Sequence, residues 1–271
     1  MNHPKLAICN FEPSVDTLRE MAFDNGFSGV DWTLKVQDLP ENAFQEAALL
    51  KNISRLEPLE VRYHCAFEGI DLGAEDTSKA MAANDIFRKA CRTVQRLGGR
   101  FMTIHMGLGR TSMDGLSWER TLRSLEILVN YGAGLGVRIC LENLATGWSS
   151  RPELFEKLVR KSNAGVTLDL GHARVCSSVA TRRFDIEDFV LPHSGRVHNA
   201  HVYHEERDDR HLPPSSLDDV SDRLGLLSCL ACDWWVLELR EEEPLLATLK
   251  VVREFLESSP RQLSLERFGI E

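Results

Sequence analysis

Six short apolar segments of this sequence each carry a carboxylate or an imidazole near their downstream end. In chain order these residues are His64, His105, Glu142, Asp169, His201 and Glu238. Carboxylate oxygens and imidazole nitrogens are ligands that divalent metals accept in proteins. Three carboxylates that converge on one point repel one another unless a cation lies among them. The sequence therefore predicts a divalent metal site, provided that the fold brings these six side chains together.

The residues around these six groups alternate between apolar and polar side chains, which is typical of β-strands. In one segment Val166, Leu168 and Leu170 share a face, and Thr167 and Asp169 lie on the other. The apolar face of such a strand packs against helices, so the polar face points into the interior of a barrel. All six ionisable groups are then expected inside, at the C-terminal ends of their strands, where barrel enzymes have their active sites.

Strand-like and helix-like segments alternate along the whole chain. The eight predicted strands begin near Lys5, Gly29, Val61, Phe101, Val137, Gly165, Val197 and Trp234. The segments between them carry apolar residues every three or four positions, which predicts helices packed on a parallel sheet. Eight such units predict an α/β fold, a single-domain (β/α)8 barrel over residues 1–257, with a C-terminal tail over residues 258–271. An open doubly wound sheet is the alternative, although the turn after the first strand lacks the glycines of its nucleotide-binding form.

Composition and charge limit the range of partners. The chain has 271 residues, of which 43% are hydrophobic and 27% charged, as in ordinary globular proteins. Its formal net charge of −9 argues against nucleic acid as a partner, because Lys and Arg contacts to phosphates supply most of that affinity. Met1–Asn10 has no signal-peptide pattern, and the sequence has no run of about 18 apolar residues that would predict a membrane span. We therefore expect a cytoplasmic protein without a membrane partner.

Two further features do not determine a function by themselves. Cys229 and Cys232 form a single C-x-x-C motif without a second pair, so two buried small residues are a better interpretation than a zinc or redox site. In the C-terminal tail, Leu263, Leu265 and Phe268 are expected to pack on the chain's own barrel. Packing on a second subunit is the alternative, and it would make the protein a homo-oligomer.

Seven segments of the chain together resemble the xylose-isomerase-like barrels. This superfamily contains sugar and sugar-phosphate isomerases and epimerases, and also the endonuclease IV type of abasic-site enzyme. The segments are Tyr63-His64-Cys65, Thr103-Ile104-His105, Leu141-Glu142-Asn143, Leu168-Asp169-Leu170-Gly171-His172, His201-Val202-Tyr203-His204, Asp209-Arg210-His211 and Leu237-Glu238-Leu239. They follow the family's order over nearly the whole chain. The resemblance implies a TIM barrel whose metal ligands are Glu142, Asp169, His201 and Glu238.

By this resemblance the chain is a metal-dependent sugar or sugar-phosphate isomerase or epimerase of carbohydrate metabolism. One divalent metal (Mn, Mg, Co, Fe or Zn) polarises the substrate, and Glu142 or Glu238 removes the proton next to a carbonyl. The other glutamate returns the proton, and the metal stabilises the enediolate between the two steps. Burial is expected to raise the pKa of both glutamates toward neutrality. The resemblance further implies contacts to substrate or to additional metal from His64, His105, His172, Asp209 and His211.

The same nine positions also match the ligand pattern of the endonuclease type, which holds three zinc ions. The alternative function is therefore a multi-zinc phosphoesterase that acts on abasic DNA. The charged run from Glu205 to Arg210 is interpreted as a solvated loop over the mouth of the barrel. After it, Pro214-Ser215-Ser216-Leu217 stands where relatives often have Gly-x-Gly, which argues against phosphate binding by this loop.

Overall fold

A computed structural model describes residues 3–110, 112–208 and 210–258. In these residues the strands are β1 Lys5–Cys9, β2 Gly29–Leu34, β3 Glu60–Cys65, β4 Phe101–Ile104, β5 Arg138–Glu142, β6 Gly165–Asp169, β7 Val197–Val202, β8 Glu205–Arg207, β9 Arg210–Leu212 and β10 Trp234–Leu237. Eight of them form a closed parallel barrel in the order β1-β10-β7-β6-β5-β4-β3-β2, while β8 and β9 pair antiparallel as a separate hairpin. The predicted (β/α)8 TIM barrel is therefore confirmed.

The helices pack around the outside of the barrel. They are α1 Val15–Asp24, α2 Ala43–Ser54, α3 Thr77–Arg96, α4 Trp118–Gly134, α5 Pro152–Ser162, α6 Leu170–Val175, α7 Ser177–Ala180, α8 Ser221–Cys229 and α9 Glu242–Ser258. Several begin at residues whose side chains accept hydrogen bonds from the first free backbone N–H groups, as at Ser14, Asn42 and Asp76. None of the helices in the described part of the chain combines the length and apolar character that a bilayer span requires. The predicted tail lies, from residue 259 onward, outside the described residues.

The side chains of the strands fall into two separate apolar regions. Tyr63, Ile104, Leu168 and Trp235 belong to the large core between the barrel and the helices. A much smaller cluster, formed by Ala7, Trp234 and Val236, is separate from this core. Because side chains alternate along a strand, the second cluster lies inside the barrel. The remaining interior space is occupied largely by polar side chains, as the alternation in the sequence predicts.

A buried arginine closes the N-terminal end of the barrel. Arg62 donates hydrogen bonds from Nη1 to Oδ1 of Asn199 at 2.7 Å and to the carbonyl of His198 at 2.8 Å. Its guanidinium lies over the rings of Phe101 and Trp234, 4.2 and 4.4 Å from their centroids. Such contacts stabilise a buried cation, because the ring faces carry negative charge. The charge of Arg62 is therefore compensated by these contacts, although the side chain fills the N-terminal end of the barrel interior.

Next to Arg62 in the interior of the barrel, the polar side chains form hydrogen bonds with one another. The amide of Asn199 donates to the hydroxyls of Thr103 at 3.3 Å and Thr167 at 3.1 Å, and these two hydroxyls lie 2.8 Å apart. Arg62, Thr103, Thr167 and Asn199 form what we call the floor network. A buried network of this kind stabilises the fold only when its members are hydrogen-bonded, which is the case here.

Candidate metal centre

Four of the predicted residues converge at the C-terminal mouth of the barrel. Glu142 and Asp169 are the last residues of β5 and β6, His201 is the penultimate residue of β7, and Glu238 directly follows β10. One ligand atom from each lies within 4.8 Å of the other three. All four side chains are buried, with Glu238 the most exposed at 4%. The parallel strands thus deliver the four side chains to one point.

The imidazole of His201 lies at the centre of this group. Its Nδ1 is 3.0 Å from Oε2 of Glu238, 3.4 Å from Oε2 of Glu142 and 3.7 Å from Oδ2 of Asp169. Three carboxylates therefore face one ring nitrogen. This set of oxygen and nitrogen donors is what Mn, Co, Zn and Fe sites use in proteins.

Two further histidines extend the group on the side of Glu142. His64 lies in β3 and His105 follows β4, and their Nε2 atoms are 3.1 Å apart. Oε2 of Glu142 is 3.2 Å from Nε2 of His105 and 3.6 Å from Nε2 of His64. His64, His105 and Glu142 could together hold a metal ion of their own.

A third cluster lies toward the hairpin. It contains His172 of α6, His211 of β9 and Glu206 of β8, with 3.2 Å between Nε2 of His172 and Oε2 of Glu206. The ring of Tyr203 stacks on that of His211 at 3.9 Å between centroids. Asp209, the remaining predicted residue, lies outside the described residues.

The interpretation of Glu205–Arg210 as a solvated loop is wrong for Glu206. The segment enters an antiparallel hairpin in which Glu206 pairs with His211, and this register turns the carboxylate toward His172. The run of charges gave no signal for this, because alternating acids and bases are equally typical of exposed loops.

Asp31 is a buried acid that the sequence analysis did not single out. It lies in β2 with 1% exposure, and its Oδ2 is 3.5 Å from Nδ1 of His64 and 3.8 Å from Nε2 of His201. The signal was present in the sequence. Val30 and Leu34 alternate with Asp31 in the same way as the residues of the strands that were analysed.

Several polar atoms of these residues have no hydrogen-bond partner within the described part of the chain. They are Oδ1 of Asp31, Nδ1 of His105, Oε2 of Glu142, Oδ2 of Asp169, both ring nitrogens of His201 and Oε2 of Glu238. Buried polar atoms without partners are rare in folded proteins because they lose their hydration without compensation. Their concentration at one point, with mixed oxygen and nitrogen donors, fits a divalent cation.

The carboxylates and imidazoles of the cluster shift one another's pKa values. Burial by itself raises the pKa of Glu142, but the imidazoles of His201 and His105 outweigh it and hold this pKa well below its usual range. Glu238 has a lowered pKa for a similar reason, with His201 and His211 as its neighbours. The expectation that burial raises both pKa values is therefore wrong, because the nearby imidazoles have the larger effect. Both glutamates are carboxylates at neutral pH.

The histidines respond in the opposite direction. Burial disfavours the protonated form of His201, yet Glu142 and Glu238 raise its pKa well above the usual value. Burial is likewise outweighed at His172, where Asp169 and Glu206 raise the pKa to about 10. The imidazoles thus hold protons that balance the carboxylates. Metal binding requires unprotonated imidazole, so a cation that enters this site displaces those protons.

The turn between β6 and α6 is held by Asn143. Its side chain accepts from the backbone N–H of Asp169 at 2.8 Å and donates to the carbonyl of the same residue at 2.9 Å. Oδ1 of Asp169 accepts from the backbone N–H of His172 at 2.7 Å and caps α6. One oxygen of Asp169 is thereby fixed, and the other remains directed at the cluster.

Gly171 allows this turn to approach the end of β7. A Cβ atom at this position would overlap the ring of Tyr203, which is fully buried and stacks on His211. The ring has no free space to move into, because protein interiors are close-packed.

We expect Gly171→Ala to destabilise the protein by about 1–3 kcal/mol, the usual range for overpacking a core. Urea denaturation followed by circular dichroism measures the free energy of unfolding. Gly134→Ala is the matched control, because a Cβ there meets nothing within 4 Å and the residue ends α4. Unchanged stability in Gly171→Ala would contradict the assigned contact with Tyr203.

Arg223 donates hydrogen bonds to segments at the mouth of the barrel and just before the β8–β9 hairpin. This residue of α8 is 6% exposed, and its Nη1 donates to the carbonyls of His204 at 2.7 Å, Leu170 at 3.3 Å and Tyr203 at 3.4 Å. Its Nη2 donates to the carbonyl of Asp219 and contacts Nδ1 of His204 at 3.2 Å. Burial lowers the pKa of Arg223 to about 10, so the group stays charged at neutral pH.

Comparison with known proteins gives one family and several related structures. A family model described as "Xylose isomerase-like TIM barrel" matches residues 19–256. The uncharacterised protein MJ0008 of Methanocaldococcus jannaschii is 29% identical over 165 residues, which are 60% of this chain and 70% of that protein.

Among solved structures, the TTHB071 protein from Thermus thermophilus, soaked with ZnCl2, has a TM-score of 0.74 and 20% identity and covers 94% of this chain and 99% of its own. A D-tagatose 3-epimerase-like protein has a TM-score of 0.71 and 16% identity, and the match covers 93% of this chain and 97% of that protein. Endonuclease IV from Thermus thermophilus has a TM-score of 0.64 and 18% identity, and the match covers 94% of this chain and 100% of that protein. At these identities the structures support the fold alone.

Proposed function

The chain belongs to the xylose isomerase-like TIM barrel family, and from this membership we propose that it is a metal-dependent sugar or sugar-phosphate isomerase or epimerase. The observation that carries the proposal is the pair of buried glutamates, Glu142 and Glu238, which contact the same nitrogen of His201 at 3.4 and 3.0 Å. The likeness to a D-tagatose 3-epimerase-like protein supports a small carbohydrate as the substrate class.

The proposed ligands of the metal are Glu142, Asp169, His201 and Glu238. Their unpartnered oxygen and nitrogen atoms fit a divalent cation, as described above. When bound, such a cation supplies positive charge that stabilises the negative charge developing on the substrate oxygens. Mn, Mg, Co, Fe and Zn all accept this donor set, so the identity of the metal is a matter for measurement.

In this proposal the two glutamates move the proton. One carboxylate accepts the proton from the carbon next to the substrate carbonyl, and the other returns a proton to the same or to the neighbouring carbon. Their lowered pKa values keep both as carboxylates at neutral pH, which is the form that a base and a ligand both need. The glutamate that returns a proton therefore first takes one up from solvent, and this is also the route by which deuterium would enter the sugar. His64, His105, His172 and His211 surround the pair and are proposed to bind substrate hydroxyls.

A multi-zinc phosphoesterase is the second candidate. The cluster of His64, His105 and Glu142 favours it, because these residues could hold a further metal beside the first. The likeness to endonuclease IV points the same way. Against it stands the net charge of −9, because contacts from Lys and Arg to phosphates supply most of the affinity for DNA.

Solvent deuterium exchange tests the proposal even while the product is unidentified. Protein purified without chelator, with its metal content measured, is incubated in deuterium oxide with a panel of ketoses such as D-tagatose and D-fructose, and with phosphorylated sugars. We expect about one metal per chain and deuterium at the carbon next to the carbonyl of at least one sugar. Protein stripped with chelator is expected to be inactive and to recover when the metal is restored.

The same preparations are assayed with a duplex that contains a single abasic site. Two or three zinc ions per chain, cleavage of the abasic strand and no deuterium in any sugar would overturn the proposal in favour of the phosphoesterase.

A further inference from the structure

One carboxylate oxygen lies behind two imidazoles of the candidate metal centre. Oδ2 of Asp31 is 3.5 Å from Nδ1 of His64 and 3.8 Å from Nε2 of His201. The two rings are neighbours, with 5.1 Å between their centroids. Asp31 comes from β2, which contributes none of the four proposed ligands.

In each ring, the nitrogen that faces Asp31 is not the one that faces Glu142. His64 directs Nε2 toward Glu142 at 3.6 Å, and His201 directs Nδ1 toward the same oxygen at 3.4 Å. For His201, Asp31 therefore lies on the side of the ring opposite to Glu142, Asp169 and Glu238. For His64, Asp31 lies opposite to Glu142 and is the nearer of two carboxylates at Nδ1, since Oε1 of Glu238 is 3.8 Å from that nitrogen. A neutral imidazole donates from one nitrogen and accepts at the other.

Asp31 has no other ion-pair contact among the residues that the structure describes. It is 1% exposed, so water does not solvate its charge. A carboxylate this deeply buried needs positive charge or donors nearby, and its surroundings can supply them at the two ring nitrogens that face it, at 3.5 and 3.8 Å, when these carry protons. The acid and the two rings thus depend on one another.

We propose that Asp31 is a positioning residue that fixes the tautomers of His64 and His201 for metal and substrate. Its negative charge favours a proton on Nδ1 of His64 and on Nε2 of His201, the nitrogens that face it at 3.5 and 3.8 Å, and this leaves the lone pairs of the opposite nitrogens directed into the centre. A carboxylate behind a metal-binding imidazole orients the ring and strengthens it as a ligand. The inference rests on the metal site of the proposed function, and it adds a residue outside the ligand set.

The first test is metal affinity, measured by competition with a chromogenic zinc chelator. Asp31→Asn keeps the shape of the side chain but removes its negative charge, and we expect its zinc affinity to fall about 10–100-fold, as for other outer-shell partners. Asp71→Asn is the matched control. Asp71 is also a buried acid, at 7% exposure, but it pairs with Arg110 at 2.7 Å. Its zinc affinity is expected to stay within about threefold of the unchanged protein.

The second test reads the tautomers directly in the unchanged protein, so it does not depend on the folding of a variant. Long-range 15N–1H spectra of the zinc-loaded, 15N-histidine-labelled protein report which ring nitrogen carries a proton. We expect the proton on Nδ1 of His64 and on Nε2 of His201, and loss of this fixed pattern in Asp31→Asn. A merely structural role for Asp31 would leave the ring nitrogens unaffected.

The outcomes separate this inference from the proposed function. Zinc affinity of Asp31→Asn equal to that of the unchanged protein, or a proton on Nε2 of His64 in the loaded protein, would overturn the role of Asp31 and leave the isomerase proposal standing. Failure of the unchanged protein to bind any divalent metal would overturn both. Tight zinc binding with the expected tautomers but no exchange on any sugar would support Asp31 and count against the isomerase.

Discussion

Replacing Glu142 by glutamine is expected to slow proton exchange by about 10²–10⁴-fold at saturating metal, the usual range for losing a general base. The amide is nearly the same size, so the barrel should stay folded. Oε2 of Glu142 faces the nitrogens of His105 at 3.2 Å, His201 at 3.4 Å and His64 at 3.6 Å, and an amide at this place lacks the basic oxygen that accepts the proton. The exchange rate and the metal content are to be measured on the same sample, so that loss of metal is not mistaken for loss of the base.

Glu60→Gln provides the control for this substitution. Glu60 begins β3 at the opposite end of the barrel, where it pairs with Lys5 at 2.6 Å and Arg62 at 3.0 Å. The same chemical change there is expected to leave both metal content and exchange rate within about threefold. An exchange rate in Glu142→Gln within threefold of the unchanged protein would remove Glu142 from the proton path.

Replacing Arg223 by alanine is expected to lower the free energy of unfolding by roughly 3–4 kcal/mol, given that hydrogen bonds to a charged donor are each worth about 1.5–3 kcal/mol and are not additive. The guanidinium serves the carbonyls of Leu170, Tyr203, His204 and Asp219, which would be left without this donor. Because Leu170 and Tyr203 adjoin the centre, metal affinity should fall as well. Denaturant titration with and without metal measures both effects.

Arg174→Ala separates this effect from the loss of a surface arginine. Arg174 is 44% exposed and pairs with Glu205 at 3.4 Å, so its removal should change the stability by less than about 1 kcal/mol. Equal stability of the two variants would mean that Arg223 does not hold the mouth in the way described.

The positions of the strands could be predicted well from the sequence. The predicted starts at Lys5, Gly29 and Trp234 coincide with the observed ones, and Val61 and Val137 differ by one residue. The reason is physical. A strand in a barrel meets helices on one face and the interior on the other, so its alternation is enforced by burial on both sides. The convergence of Glu142, Asp169, His201 and Glu238 followed from the same alternation.

Other features depend on contacts that no local pattern records. Glu206 turns inward because a short hairpin pairs it with His211, and this register cannot be read from a run of charges. Arg223 stands in an ordinary amphipathic helix, yet two of its acceptors, Leu170 and His204, lie 53 and 19 residues away in sequence. The direction of the pKa shift at Glu142 depends on the imidazoles around it rather than on burial alone.

The two ends of the barrel interior differ in a way that bears on how such proteins change over time. In the floor network the polar groups of Arg62, Asn199 and the two threonines are matched with one another, so most substitutions there reduce stability. At the mouth the carboxylates face each other with unmatched atoms, an arrangement that apolar side chains would improve. Selection for a stable fold therefore acts mainly on the residues of the floor network. The carboxylates at the mouth of the barrel are preserved only by selection for activity. Substitutions at the mouth can therefore change the reaction that the protein catalyses, while the floor network keeps the same barrel folded.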